Sequence, residues 1–221
     1  MRSNNYRVQF ITHYNERYSY VDSARIALEG GCRWIQLRMK EASEQLMEET
    51  ALIIQQMCKD CGATFIIDDN VTLAKKINAD GVHLGKNDMP VAEARKMLGD
   101  KFIIGGTVNT FDDILQHLQV GAPDYFGCGP FRFTSTKKNL APVLGCEGYK
   151  CIISKMRENN IAIPLIAIGG IDQDDIAQLI GCGVNGIALS SSILNAQNPI
   201  DEMNEIMTIL NAHYHNPTIN L

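Results

Sequence analysis

Residues 63–85 read ATFIIDDNVTLAKKINADGVHLG, and this stretch decides the fold. Thr64–Ile67 and Gly81–Leu84 are short apolar runs, while Val71–Ile77 between them repeats its apolar side chains at helical spacing. Phe65-Ile66-Ile67 shows no polar alternation, so that strand is expected to be buried on both faces, as in a parallel sheet covered by helices. The same alternation extends outward in both directions. Further strands are expected at Val8–Thr12, Trp34–Arg38, Phe102–Gly105, Tyr125–Gly127, Pro164–Ile168 and Gly186–Leu189. Further helices are expected at Val21–Glu29, Glu44–Lys59, Ala92–Leu98, Phe111–Gln119, Tyr149–Glu158, Asp174–Ile180 and Ile200–Ala212. Several end at glycine, as in Leu98-Gly99, because glycine takes the left-handed conformation that stops a helix. Eight strands alternating with eight helices predict an α/β fold of the (β/α)8 TIM-barrel type, as one domain over residues 1–221. A doubly wound sheet is the alternative, since alternation does not fix closure. The one long loop, Gly129–Gly148, follows the sixth strand.

Composition narrows the function classes. The chain has 221 residues, 45% of them hydrophobic and 20% charged, which suits a folded globular protein rather than a disordered tail. Its net charge is −5 and it has no basic run, so neither nucleic acid nor an anionic membrane is an expected partner. No apolar run is long enough to span a membrane, and the polar N-terminus does not resemble a signal peptide. A cytoplasmic location is expected, and a homodimer is left open. The seven scattered cysteines agree with a reducing compartment. Cys58 and Cys61 form the one C-x2-C pair; two ordinary thiols at a helix end explain them best.

In a barrel, polar residues at the C-terminal ends of strands face the active-site mouth. Gln36, Arg38 and Lys40 lie at spacing two after the second strand, so they share a face and can converge on an anion, with pairing to Glu41 or Glu44 as the alternative. Asp68-Asp69 ends the third strand and Asp88 follows the fourth. Asp69 and Asp88 come from neighbouring strands and could share a Mg²⁺ completed by phosphate oxygens, although Asp68 or Asp69 could instead cap the next helix. Gly105-Gly106-Thr107 ends the fifth strand; the glycines would admit a ligand and Thr107 offers a hydroxyl. Thr110 with Asp113 reads as a helix cap. Thr134, Thr136 and Lys137 lie in the long loop, which suits a lid. Gly169-Gly170 and Ser190-Ser191 follow strands seven and eight, where barrels often bind phosphate. His83 reads as a packed core histidine.

These residues bring a family into view. Gln36-Leu-Arg38-Met-Lys40, Ile67-Asp68-Asp69, Ala79–Gly85 followed by Asp88, Gly129–Lys138 and Ile168-Gly-Gly-Ile171 together resemble thiamine-phosphate synthase, in the same order from about residue 8 to about 195. The resemblance implies a transferase on small phosphorylated substrates. It would join a hydroxymethylpyrimidine diphosphate to a thiazole phosphate, releasing pyrophosphate in a dissociative, Mg²⁺-assisted substitution. It implies that Gln36, Arg38, Lys40, Asp68, Thr107 and Lys137 bind the pyrimidine diphosphate, with Arg38, Lys40 and Lys137 acting in catalysis. Asp69 and Asp88 would hold the metal, and Thr134, Thr136, Gly170, Ser190 and Ser191 would bind the thiazole phosphate. Two positions depart from the pattern. Asp68 stands where Asn is usual and Lys86 where Gln is usual, so Lys86 is expected to offset the added negative charge. A thiazole tautomerase-like isomerase and a non-catalytic barrel that binds a phosphorylated ligand are the rival readings. Asp88, and Asn109 in place of a histidine, favour the synthase over the isomerase.

Overall fold

The computed structural model describes residues 7–133 and 141–215. Within them, eight strands run in sequence: β1 (Val8–Ile11), β2 (Trp34–Leu37), β3 (Thr64–Asp68), β4 (Gly81–Leu84), β5 (Ile103–Val108), β6 (Tyr125–Cys128), β7 (Leu165–Ile168) and β8 (Gly186–Leu189). Each is parallel to its sequence neighbours, and β1 also pairs with β8 through Val8–Ile187, Gln9–Ala188 and Phe10–Leu189. That last pairing closes the sheet, so the fold is the barrel and not the doubly wound alternative.

The helices are α1 (Tyr20–Glu29), α2 (Glu44–Asp60), α3 (Val71–Ile77), α4 (Val91–Leu98), α5 (Phe111–Val120), α6 (Gly145–Glu158), α7 (Ile176–Gly181), α8 (Ser191–Leu194) and α9 (Pro199–His215). Several of their starts are written in the sequence. Ser19 and Asp22 form a capping box on α1, Ser43 caps α2, and Thr110 and Asp113 form the expected box on α5. Each cap gives orphan N–H groups of the first turn an acceptor.

Two-sided burial explains the apolar strands. Phe65 and Ile67 join the large cluster between sheet and helices, while Ile66 turns inward beside Ile11, Trp34, Tyr125, Ile166 and Ala188. Trp34 meets Tyr125 edge-on at 4.8 Å between ring centroids, an arrangement that adds about 0.5–1.5 kcal/mol beyond burial. The barrel interior is thus a packed core beneath the mouth.

Four differences from expectation have local reasons. β5 continues to Val108 because Gly105 and Gly106 are strand residues, paired with Tyr125 and Phe126. Thr107 is therefore on the strand. α6 begins at Gly145, not Tyr149, which shortens the preceding loop. α7 is entered through a tight turn at Gln173–Asp175. α8 has no counterpart in the expected pattern, since four residues make little more than one helical turn.

Candidate active site

The C-terminal strand ends open into one cavity of about 230 Å³ with lining residues from all eight strands. Gln36, Arg38, Lys40, Asp68, Asp69, Thr107, Gly170, Ser190 and Ser191 all line it. Asp88 does not line it directly; its Oδ2 accepts from the backbone N–H of Gly85, which does, at 2.6 Å. Thr134, Thr136 and Lys137 lie outside the described residues, as do residues 134–140 of the expected lid as a whole. The base of that loop is anchored: Phe131 is buried, and the N–H groups of Phe131 and Arg132 donate to the carbonyls of Ile168 and Gly169.

The positive ladder of β2 meets the acidic end of β3. Arg38 Nε and Lys40 Nζ each lie 3.5 Å from Asp68 Oδ2, and Lys40 also pairs closely with Asp69. Gln36 Nε2 donates to Asp68 Oδ1 at 2.8 Å. So Arg38 and Lys40 turn to Asp68 and Asp69. Neither aspartate caps α3 either, because Asn70 does so by accepting from the Leu73 N–H at 2.8 Å. Asp69 instead takes a left-handed backbone at φ 62, a conformation that costs a non-glycine residue energy and recurs at functional sites. Burial pushes the Asp68 carboxyl above its ordinary range. Lys40 and Arg38 pull against this without overcoming it, and the charge of Asp88 adds to the rise.

Lys86 does not offset Asp68. It pairs with Asp113 Oδ2 at 2.6 Å, the same carboxylate that completes the α5 capping box. The extra charge of Asp68 is answered by Arg38 and Lys40 alone among the ion pairs described.

Three buried polar atoms in this cavity have no hydrogen-bond partner among the described residues: Gln36 Oε1, Asp68 Oδ2 and Ser190 Oγ. An unsatisfied buried group costs about 1–3 kcal/mol; Asp68 Oδ2 has the ion pairs to Arg38 and Lys40 in compensation, so Gln36 Oε1 and Ser190 Oγ mark a place shaped for a polar ligand. Their chemistry differs. Gln36 Oε1 only accepts, Asp68 Oδ2 attracts donors or cations, and Ser190 Oγ does either. Among the described residues no three metal-ligating side chains form a cage. Two carboxylates completed by phosphate oxygens and waters are the usual donor set for Mg²⁺, and Asp69, which lines the cavity and already holds the Lys40 ammonium, suits a cation there.

Two networks escaped the sequence reading. Arg132, at the loop base, donates to the Gly170 carbonyl at 3.1 Å, to Asp172 at 2.8 Å and to Asp175 at 2.6 Å. This joins the loop after β6 to the loop after β7. The one signal in the sequence that could have found it is the Asp172-x-x-Asp175 spacing of the capping box. The second lies under the mouth, where Gln9, Tyr125, His83 and Thr107 form a chain of contacts at 3.0–3.1 Å. His83 is buried as expected, yet it also reaches the cavity. The Gly105 position is explained by this network and not by ligand approach, since a Cβ there would lie 2.3 Å from Tyr125 Cζ and 2.4 Å from His83 Nδ1. Cys58 and Cys61 are what the simpler reading expects: one buried on α2, one exposed at its C-terminus.

Known proteins share this arrangement along most of the chain. A family model described as thiamine monophosphate synthase matches residues 8–193. A thiamine-phosphate synthase of Phocaeicola vulgatus is 60% identical over 209 residues, covering 95% of this chain and 100% of that one. One of Bacteroides thetaiotaomicron is 57% identical over 202 residues, covering 91% and 96%. Among solved structures, thiamine phosphate pyrophosphorylase from Pyrococcus furiosus aligns with a TM-score of 0.83 at 34% identity, over 95% of this chain and 98% of that one. Sequence, length and barrel agree, and the chain belongs to the thiamine monophosphate synthase family.

Proposed function

We propose that this protein joins 4-amino-2-methyl-5-hydroxymethylpyrimidine diphosphate to 4-methyl-5-(2-hydroxyethyl)thiazole phosphate, giving thiamine phosphate and pyrophosphate. The observation that carries the residue assignment is the β2–β3 meeting point, where Gln36, Arg38 and Lys40 converge on Asp68 and Asp69. The C–O bond between the pyrimidine methylene and the diphosphate breaks, and its electron pair leaves with pyrophosphate. The aminopyrimidine ring stabilises the remaining cation, and the thiazole nitrogen supplies the pair for the new C–N bond. No strong general base is needed.

Arg38 and Lys40, with Lys137, hold the diphosphate oxygens where negative charge grows, so they act more strongly as the bond breaks. Asp69 and Asp88 are the residues that would hold Mg²⁺, which when bound supplies neutralising charge to the leaving group. Gln36 and Thr107 contact the pyrimidine diphosphate, and Asp68 fixes Gln36 so that its carbonyl oxygen is presented to a donor. Gly170, Ser190 and Ser191, with Thr134 and Thr136, receive the thiazole phosphate. Asn109 donates its amide to the Gly129 carbonyl and offers no acid–base group to the cavity, which speaks against the isomerase reading. We place the enzyme in the cytoplasm, with small phosphorylated molecules as its ligands. Among the described residues no helix is long and apolar enough to cross a membrane.

The deciding experiment incubates purified protein with both substrates and Mg²⁺ and measures pyrophosphate and thiamine phosphate together. Equal amounts of both are expected. Binding of either substrate without turnover would favour the non-catalytic barrel.

A further inference from the structure

We propose that Tyr125 and His83 are positioning residues that fix the direction of the Thr107 hydroxyl proton, making Thr107 a hydrogen-bond donor to an acceptor atom of the pyrimidine diphosphate. The inference rests on the reading of Thr107 as a substrate contact and adds the polarity of that contact.

The relay starts deep in the barrel. Gln9 and Tyr125 are almost fully buried, and Gln9 Nε2 donates to the Tyr125 hydroxyl oxygen at 3.1 Å. The amide nitrogen has no free lone pair, so Tyr125 must be the acceptor there. Its single proton then goes to the next partner, His83 Nδ1, at 3.0 Å. A neutral imidazole whose Nδ1 accepts carries its proton on Nε2. That nitrogen lies 3.0 Å from Thr107 Oγ1 and donates to it. Thr107 Oγ1 has then accepted from the protein, and its own proton is free to turn to the cavity that Thr107 lines.

Two further observations show that the relay is built in. A Cβ at Gly105 would strike both Tyr125 and His83, and one at Gly127 would come within 2.9 Å of His83 Cε1, so both strands carry glycine where the rings pass. Burial pushes the Tyr125 phenol far above its ordinary range, against the opposing bond from Gln9, so the relay keeps its proton. The polarity has a mirror image. If Gln9 turned its carbonyl oxygen to Tyr125, every donor would reverse and Thr107 would present lone pairs. Such a Thr107 would suit an amine and repel both phosphate oxygens and an unprotonated ring nitrogen.

The direction can be read without substrate. In the full-length protein with ¹⁵N-labelled histidine, long-range ¹H–¹⁵N spectra should show His83 as the neutral Nε2–H tautomer. Tyr125→Phe should release it into a mixture of tautomers. With substrates, Thr107→Val should lower kcat/KM for the pyrimidine diphosphate by about tenfold or more, as loss of a buried donor does. The KM for thiazole phosphate should not move, and Thr107→Ser should restore the rate. Tyr125→Phe should slow the enzyme with Thr107 present and add nothing on top of Thr107→Val, a non-additivity that general loosening would not produce. Pyrophosphate and the free hydroxymethylpyrimidine, titrated separately against Thr107→Val, tell a phosphate oxygen from a ring nitrogen as the acceptor. An Nδ1–H or doubly protonated His83 in the parent protein overturns the relay. The expected tautomer with an unaffected Thr107→Val overturns the substrate contact instead. Should Tyr125→Phe fail to fold, the parent spectrum and the Thr107 variants still decide.

Discussion

Lys40 holds two aspartates at once, and that bears on how the site fills. Its ammonium sits against Asp69, one of the two carboxylates proposed above to hold the metal. On the proposed reading a diphosphate would draw Lys40 toward its own oxygens and free Asp69, so metal and diphosphate should each improve binding of the other, reciprocally. Calorimetric titration should find Mg²⁺ binding at least about tenfold tighter with saturating pyrophosphate, and Lys40→Ala should narrow the gap. Equal affinities with and without pyrophosphate would contradict this. Asp88, proposed as the second metal ligand, also accepts from the Gly85 N–H. Asp88→Asn keeps an acceptor but removes charge, so it should abolish most turnover with an unchanged melting temperature. Asp88→Ala should lose activity and also about 1–3 kcal/mol of stability, the worth of a charged hydrogen bond. Full activity of either variant in trace Mg²⁺ would remove Asp88 from the metal site. Asp68 gives a pH test. Its carboxyl is raised by burial, so on alkaline titration the unfolded chain gives up this proton first and the folded state is progressively disfavoured. Asp68→Asn should therefore gain melting temperature over the parent as pH rises upward from the ordinary carboxylate range, with little difference below it. An advantage that shrinks with pH would refute the assignment. The residue types of this site were legible because alternate positions on a strand share a face. Their partners were not, because Lys86 reaches Asp113 and Arg132 reaches Asp175 through the fold rather than along the chain.

At the scale of elements, β5 and α5 show how a cap supports a mouth. Thr110 and Asp113 box the start of α5, Asp113 also receives the Asn109 N–H and Lys86, and Asn109 in turn reaches the Gly129 carbonyl on the next loop. One carboxylate thus ties helix, strand end and neighbouring loop. Burial opposes ionisation of Asp113. The Lys86 hydrogen bond, the Asn109 and Thr110 amides and the Lys86 charge outweigh it and hold the group below its ordinary value. Its stabilisation is complete above the ordinary carboxylate pKa and is lost as pH falls through the depressed folded value. Asp113→Ala should cost about 1–2 kcal/mol at pH 7 in denaturant unfolding, with the difference fading on strong acidification. A cost that grew as pH fell would contradict this sign. The cap was readable from Thr110-x-x-Asp113 alone. The end of β5 was not, because paired glycines look like a turn in sequence and are strand residues here, with His83 and Tyr125 filling the side-chain space of Gly105 and His117 and Pro123 that of Gly106.

Across the whole molecule, the repeated alternation of strand and helix was legible from end to end, since both-face burial leaves unbroken apolar runs. Closure was not, because the decisive contacts join residues 8–10 to residues 187–189, and no local pattern encodes them. Tight approach of neighbouring strands is the other property of the whole. A Cβ at Gly81 would sit 2.1 Å from the Ile103 carbonyl oxygen, a backbone atom in the adjoining strand. Gly81→Ala should therefore cost about 3 kcal/mol or more, or leave no folded barrel. Gly181→Ala, with nothing within 4 Å, should change stability by under about 1 kcal/mol. Comparable unfolding midpoints for the two variants would overturn this account. The β1–β8 seam also sets a timetable for the growing chain. As the protein is synthesised, its first strand emerges with one edge that has no mate until β8, the last strand of the sheet, has been made. Until then both borders of the curling sheet expose unpaired backbone N–H and C=O groups, the surface through which nascent chains stick to one another. The half-built sheet therefore carries two open borders until nearly the last of its residues has been added.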